Sequence, residues 1–260
     1  MSRLQSTSDV VVTQDQLDHF NALGWVLLSG FYSTQDIAEM GQWVDDILVE
    51  DEAPGSYMVY YEDSLTESGK IIQRVENFCS FHSGFDSMCR DSRLTHALSI
   101  IMRGQEPTLF KDKINFKFSG GSGFEPHQDQ QAGWSKYAPV FISALVCIDE
   151  ATEENGCLEL STQGRATDIM GSDWKPLDAE DLIDYALKPV PTRPGDVVLF
   201  DSFVPHASKP NHSDLPRRLL YLTYNAASYG DKRAEYYRDK RASFPPDIER
   251  EEGKRYTFRV

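Results

Sequence analysis

The chain has 260 residues, with 26 Lys and Arg against 41 Asp and Glu, for a formal charge of −15. This acidity excludes a general nucleic-acid binder and an anionic membrane surface as partner, both of which need a basic footprint, but it leaves room for a local basic pocket that takes a small anion. No apolar run approaches the ~18 residues of a membrane span, and the polar stretch Met1 to Asp15 lacks a signal-peptide apolar region, so a reducing cytoplasm is the expected compartment.

Thr13 is placed to cap a helix over Gln14 to Leu23, with Leu17 and Phe20 on one face and Gly24 ending it. Trp25 to Leu28 reads as a short apolar strand. Ser33 or Thr34 caps a second helix to about Val49, where Ile37, Met40, Val44, Ile47 and Leu48 recur at helical spacing. A further helix is expected over Asp91 to Met102. From Leu109 the texture changes to short strands divided by Gly and Pro. Within Lys111 to Phe118, Ile114, Phe116 and Phe118 take one face, while Lys113, Asn115 and Lys117 take the other. A turn at Gly120, Gly121 and Gly123 follows, then a buried strand over Val140 to Ile148. Asn155-Gly156, before the strand around Leu158, is a type I′ hairpin signal. Pro194-Gly195 turns into Asp196 to Phe200, and Leu219 to Tyr224 is another strand. Asp231 to Arg241 reads as a charged surface helix, with an extended tail through Phe244-Pro245-Pro246.

The expectation is one domain over 1–260: mainly helical in 1–105, a β core in about 106–227, and a C-terminal helix and tail in 228–260. Helices first and strands later suggest an antiparallel β sandwich or barrel carrying a helical layer. Cys79, Cys89, Cys147 and Cys157 form no C-x-x-C pair, so structural zinc lacks its usual spacing. Cys147, in an apolar run, reads as a small buried hydrophobe.

The chemistry centres on His127-Gln128-Asp129 and His206. On a strand, residues i and i+2 share a face, so His127 and Asp129 can reach one point. His206 follows just past the apolar run Val197 to Phe200, where a hairpin-rich fold can bring it alongside. Two imidazoles and a carboxylate form a facial triad suited to non-haem Fe(II). H-x-D alone arises readily by chance in so acidic a chain. Its weight comes from the Gly-rich turn before it, the strand before His206 and the basic residue at a fixed distance after it. His19, His82, His96 and His212 read as surface or packing residues. Arg217 shares a strand face with Leu219, Tyr221 and Thr223, while Arg218 takes the other. An arginine beside a metal site clamps a carboxylate with two parallel hydrogen bonds. The alternative is a pair of surface arginines after Pro216. Ser208, two residues after His206, either adds a hydroxyl to that carboxylate or is an ordinary loop serine.

The stretches FEPHQDQQAGW (Phe124 to Trp134), NGCLEL (Asn155 to Leu160), PGDVVLFDSFVPHAS (Pro194 to Ser208) and LPRRLLYLTYN (Leu215 to Asn225) resemble the phytanoyl-CoA dioxygenase family. The resemblance runs across nearly the whole chain. It implies a mainly β fold with α, a double-stranded β-helix (jelly-roll, cupin-like) core with a helical layer, and an Fe(II)- and 2-oxoglutarate-dependent dioxygenase that consumes O2. By the family pattern His127, Asp129 and His206 are the metal ligands and the catalytic centre, and Arg217 holds the far carboxylate of 2-oxoglutarate. Ser208, Asn115 and Lys117 are further candidates for that cosubstrate, with solvent as the alternative for Asn115 and Lys117. Related halogenases lack the carboxylate that Asp129 supplies, so hydroxylation is implied here.

The tail SFPPDIEREEGKRYTFRV (Ser243 to Val260) and the YYEDS…RVENF stretch resemble the bacterial branch that hydroxylates 2-aminoethylphosphonate and its N-methylated relatives. That implies a small-molecule substrate hydroxylated at the carbon next to phosphorus. The phosphonate needs cationic or amide donors, and the ammonium needs aromatic faces or carboxylates. Candidates are Tyr60, Tyr61, Arg74, Asn77, Gln130 and Trp134, with Arg74 the first choice for the phosphonate. Each has a plainer alternative: Tyr60 and Tyr61 pack, Arg74 pairs with Glu76 or Glu62, and Trp134 lines the core. Many relatives carry a Pro-Gly-Ser-His turn after NGCLE. Here Ser161-Thr162-Gln163-Gly164-Arg165 stands instead, and Arg165 either charges the mouth of the site or faces solvent. Two other functions stay open at this point: the same oxygenase chemistry on another small amine or secondary metabolite, and a catalytically silent metal-binding protein.

Overall fold

Both N-terminal helices begin at a reciprocal cap. In α1 (Gln14–Leu23) the Thr13 hydroxyl accepts from the Gln16 N–H at 3.3 Å, and the Gln16 side chain accepts from the Thr13 N–H at 2.8 Å. Gly24 ends the helix at φ +80°, where a Cβ would meet Val204 at 2.6 Å. β1 (Trp25–Leu28) follows, then α2 (Thr34–Val49), capped by Ser33 rather than Thr34, with Asp36 closing the box. The computed structural model describes residues 11–173 and 175–256. The first ten residues of the polar N-terminal stretch, Trp174 and the last four residues of the tail motif lie outside the described residues.

The region expected to be mainly helical also supplies two strands, β2 (Met58–Asp63) and β3 (Lys70–Glu76), ahead of α3 (Ser83–Met88) and α4 (Ser92–Ile101). Their period of two is hidden in the sequence for two reasons. A register shift between Tyr60 and Tyr61 breaks the alternation, and the inward residues of β3 include the charged pair Arg74 and Glu76. The remaining strands are β4 (Pro107–Lys117), β5 (Phe124–His127), β6 (Ile142–Cys147), β7 (Leu158–Ser161), β8 (Leu187–Pro189), β9 (Val197–Asp201), β10 (His206–Ser208) and β11 (Arg217–Ala226), followed by α5 (Arg233–Ser243).

They form two antiparallel sheets, ordered β1-β9-β6-β11-β4-β3-β2 and β5-β10-β7-β8. This is a double-stranded β-helix, mainly β with a helical layer. On the outer face of the larger sheet, Ile114, Phe116, Ala144, Val146, Leu220 and Leu222 pack with Ile37, Met40 and Val44 of α2 and Leu94, Ala97 and Leu98 of α4. Each fully buried aliphatic side chain there contributes ~1.5–3 kcal/mol. The inner face buries Leu145, Leu158, Leu160, Val198, Phe200, Leu219 and Tyr221. A third cluster, including Met58, Tyr60, Phe110, Trp134, Phe141, Tyr236 and Tyr237, closes the end beside α5.

Two expectations are corrected here. The C-terminal helix is not only a surface element. Tyr236 and Tyr237 of α5 are buried, the Tyr237 hydroxyl donates to the Asp112 carbonyl at 2.9 Å, and Arg233 pairs with Asp112. Long amphipathic side chains bury their stems while reading as polar, so the charge pattern hid the inward stripe. Asn155-Gly156 is not a two-residue hairpin, since β6 and β7 lie in different sheets. Only Gly156 has a positive φ, +74°, whereas a type I′ turn needs two. Asn155 instead holds the crossing turn with its side chain, accepting from the Thr152 N–H at 2.8 Å and donating to the Glu150 carbonyl at 2.9 Å. All four cysteines are buried and free. Among the described residues no helix is long and apolar enough to cross a membrane.

Candidate active site

β10 pairs with β5 so that His206 lies opposite His127, with ring centroids 4.2 Å apart. The strand does not run on to Asp129, as strand alternation would have it. It stops at His127, and a 3-10 turn begins at Asp129. The buried Gln128 between them fixes this turn. Its amide donates to the carbonyls of Phe203 at 2.6 Å and Asp168 at 3.1 Å, and it accepts from the Met170 N–H at 2.7 Å. The outcome is the convergence that the motif predicts: one ligand atom from each of His127, Asp129 and His206, all within 4.8 Å of one another.

Each imidazole is oriented by the same local device. Nδ1 of His127 faces the Glu125 carbonyl at 2.7 Å, and Nδ1 of His206 faces the Val204 carbonyl at 2.9 Å. Nδ1–H therefore donates to backbone, which leaves Nε2 as the lone-pair donor. Burial, and then the neighbouring His206, push His127 down to about 3; burial also lowers His206. Both rings are neutral at pH 7. Burial works upward on Asp129, but His206, Lys113 and His127 outweigh it and hold the carboxyl below its ordinary value. The Ser143 hydroxyl stands 3.5 Å from the Asp129 carboxylate and 2.8 Å from the Thr223 hydroxyl. Two neutral nitrogens and one ionised carboxylate are a donor set that fits divalent iron.

Arg217 is 2% exposed and, among the described residues, has no carboxylate partner. Its Nε donates to the Gly156 carbonyl at 3.1 Å and its Nη2 donates to the same oxygen, while Nη1 is buried with no hydrogen bond. Lys117 lies beside it. Its ammonium donates to Ser208 Oγ at 2.9 Å, to the Gly156 carbonyl at 3.4 Å and to the Lys209 carbonyl. Burial, then Arg217, push Lys117 down to about 7. Asn115 Oδ1 on the same face is also buried without a hydrogen bond. Buried cations without a counter-charge are costly, and this pair fits the carboxylate of an acid such as 2-oxoglutarate. Arg218 takes the opposite face, as strand phase requires, and pairs with Asp149 and Asp45 at 2.8 Å each.

The substrate candidates divide. Arg74 and Tyr60 reach the inner side, with the guanidinium 4.2 Å above the Tyr60 ring centroid and Nε 2.8 Å from Glu76. The Tyr60 hydroxyl donates to the Phe244 carbonyl at 2.9 Å. Trp134 is core, packed among Phe110, Phe141 and Tyr236. Gln130 is buried, its amide donating to Ser135 at 3.0 Å and the Ala138 carbonyl at 3.3 Å. Tyr61 packs toward the helical layer and bonds Glu52, and Asn77 accepts from Arg233 at 2.9 Å. Arg165 neither charges the mouth nor faces solvent freely. It pairs with Asp201 at 2.8 Å and donates to the carbonyls of Phe20 and Asn21, tying the end of α1 to the sheet.

Sequence reasoning missed that Glu76 gathers Lys111 and Lys240 beside Arg74, and it gave Lys113 no role. Glu76 is fully buried, with Lys240 at 2.6 Å and Lys111 at 3.9 Å. Burial opposes its charge, but Lys111, Lys240 and Arg74 hold it well below the usual carboxylate range. Lys113 is pushed down to about 8 by burial and then by Lys111, while Asp129 acts upward. The available signal was the lysine alternation 111, 113 and 117 on β4; Lys240 had none, because its helix read as surface.

A jelly roll that gathers two histidines and a carboxylate inside its smaller sheet, with a buried arginine eleven residues beyond the second histidine, defines a non-haem metal oxygenase. The chain belongs to the phytanoyl-CoA dioxygenase family, whose model matches residues 20–219, and it is a dioxygenase of that family. It is 39% identical over 252 residues to a 2-aminoethylphosphonate dioxygenase from uncultured bacterium HF130_AEPn_1, covering 94% of each chain. It is 36% identical over 239 residues to a methylphosphonate hydroxylase from Gimesia maris, covering 91% of this chain and 89% of that one. In fold it is similar to EctD from S. alaskensis, solved with 2-oxoglutarate and 5-hydroxyectoine. That match has a TM-score of 0.72 at 22% identity and covers 86% of this chain and 80% of that one.

Proposed function

We propose that the protein is an iron- and 2-oxoglutarate-dependent hydroxylase of a small organophosphonate, such as 2-aminoethylphosphonate or an N-methylated analogue, acting at the carbon bonded to phosphorus. The observation that carries this reading is the local charge on the substrate side of the triad. Arg74, Lys111, Lys113 and Lys240 gather there around one carboxylate of their own, Glu76. In a chain of charge −15 the long-range field repels a dianion, so a substrate anion must be held by a few close cations. The two relatives named above share a carbon–phosphorus bond in the substrates their names give.

His127, Asp129 and His206 would hold the iron, which with 2-oxoglutarate and O2 supplies the oxidising power to replace a substrate C–H by hydroxyl. The chain's own residues do the rest. Their backbone carbonyls keep the two Nδ1 protons in place, so both imidazoles stay oriented and neutral. Arg217 and Lys117, with Ser208, hold the far carboxylate of the cosubstrate. Leu158, Leu160, Val198 and Leu219 wall the inner face and exclude water. Incubating iron-loaded protein with 2-oxoglutarate and a panel of aminophosphonates tests the reading. Stoichiometric succinate and a shifted phosphorus NMR peak are expected. Turnover of a phosphorus-free amine or a terpenoid, with every phosphonate inert, would overturn the substrate class and leave the oxygenase class standing.

A further inference from the structure

Lys113 is the cation of this cluster that, among the described residues, makes no ion pair of its own, although Asp129 and Glu76 lie near enough to act on its charge. β3 and β4 are in register with Arg74 opposite Asn115 and Glu76 opposite Lys113, so the charged side chains share the inner face. Three of the four cations are committed. Arg74 bonds Glu76 and Gln73 and lies over Tyr60; Lys240 sits on Glu76 at 2.6 Å; Lys111 reaches Glu76 at 3.9 Å and the ring of Trp134. Lys113 makes no hydrogen bond or ion pair among the described residues, and its ammonium lies over the rings of Tyr221 at 4.6 Å and Phe124 at 5.7 Å. It is half-buried.

Its position along the sheet is equally specific. Lys113 is opposite Tyr221 on β11. Thr223, the next residue inward on that face, bonds the Ser143 hydroxyl that stands beside Asp129. The ammonium is therefore close to the triad, whereas Arg74 and Lys240 are held one strand further out on Glu76. A half-buried ammonium that lies over ring faces and makes no hydrogen bond is short of partners for three donors.

Resting on the phosphonate reading above, we propose that Lys113 seats the phosphonate beside the metal site and so selects the carbon bonded to phosphorus. Carbon 1 is one bond from phosphorus. An oxygen held on Lys113 brings the C1 hydrogens to the triad and leaves the rest of the substrate to extend toward Glu76 and its cations. Arg74, the first choice on sequence grounds, acts instead as a positioning residue that fixes Glu76.

The experiment compares wild type with Lys113→Met and Lys113→Arg, each loaded with iron. Substrate-free decarboxylation of 2-oxoglutarate serves as the check that the variants fold and hold metal and cosubstrate. The expected result for Lys113→Met is a KM for 2-aminoethylphosphonate and for methylphosphonate raised about tenfold to a hundredfold, as loss of a charged hydrogen bond implies. The KM for 2-oxoglutarate stays unchanged, a larger share of succinate forms without hydroxylated product, and Lys113→Arg restores part of the affinity. Anaerobic calorimetry with the same two phosphonates should show the matching loss of binding. An unchanged phosphonate KM in Lys113→Met overturns the assignment while the phosphonate reading stands. A raised 2-oxoglutarate KM instead assigns Lys113 to the cosubstrate and also overturns it. Phosphonates inert with wild type bring down the reading itself, and the assignment with it.

Discussion

Arg217 and Lys117 converge on one oxygen, the carbonyl of Gly156, although they come from neighbouring strands and both carry positive charge. Bringing like charges together in a buried place is costly, and an anion between them offsets that cost. The turn at Gly156 makes the approach possible: a Cβ there would meet the Lys209 carbonyl at 2.1 Å and the Lys117 ammonium at 2.9 Å. The far carboxylate of 2-oxoglutarate is the anion that this arrangement is expected to receive.

Arg217→Ala should raise the KM for 2-oxoglutarate strongly, and Arg217→Lys should recover only part, since Lys lacks the two-pronged contact. Arg218→Ala should leave that KM alone and cost about 1 kcal/mol or less of stability, because its ion pairs with Asp149 and Asp45 lie at the surface. Steady-state kinetics and a thermal melt decide between them, and the opposite ranking would mean that the strand phase is inverted.

Removing a metal donor should act on binding before catalysis. His127→Ala, Asp129→Ala and His206→Ala should each weaken Fe(II) affinity by more than about tenfold, or ~1.4 kcal/mol. Calorimetric titration with Fe(II) under anaerobic conditions measures it. A folded His206→Ala protein that binds iron like wild type would remove the site.

The depressed Lys117 gives a pH signature. Its pKa is about 7 when folded and 10.5 in a free lysine, so between those values the unfolded chain binds more protons. Stability should therefore rise with pH through that window, as the cost of burying the charge fades. A bound carboxylate favours the protonated ammonium, so 2-oxoglutarate should take up a proton on binding near pH 8 and bind more weakly as pH climbs above 7. Lys117→Met should reduce the first trend, which the depressed Lys113 shares, and abolish the second, measured by denaturation and by calorimetry in buffers of different ionisation enthalpy.

Trp134→Ala should cost ~3–5 kcal/mol, the usual penalty for emptying a buried aromatic site. Trp134→Phe should keep the substrate KM and lower the melting temperature. A substrate KM that moves with Trp134→Phe at constant stability would return the indole to the substrate site.

The triad was legible because its signal is local: H-x-D after a Gly-rich turn, a second histidine after an apolar strand, and an arginine at fixed spacing. The phases of β4 and β11 were legible too, since a buried strand alternates at period two and a wrong phase would turn Lys113, Lys117 and Arg217 into the apolar helical layer. The convergence of His127 and Asp129 was read correctly for an incomplete reason, as the turn held by Gln128, not strand alternation, delivers the carboxylate.

What the tertiary structure alone decided is which polar groups end up buried together. β2 and β3 escaped notice because a bulge and an inward ion pair erase their pattern, and α5 read as solvent-facing because Tyr236, Tyr237 and Lys240 are amphipathic. Pairing of Glu76 with Lys240, 164 residues away, depends on α5 packing at the end of the barrel. Local periodicity reports which face of an element is apolar. It carries no information about which distant charge will neutralise a buried one, and that choice left Arg74 paired with Glu76 and Lys113, among the described residues, without an ion pair.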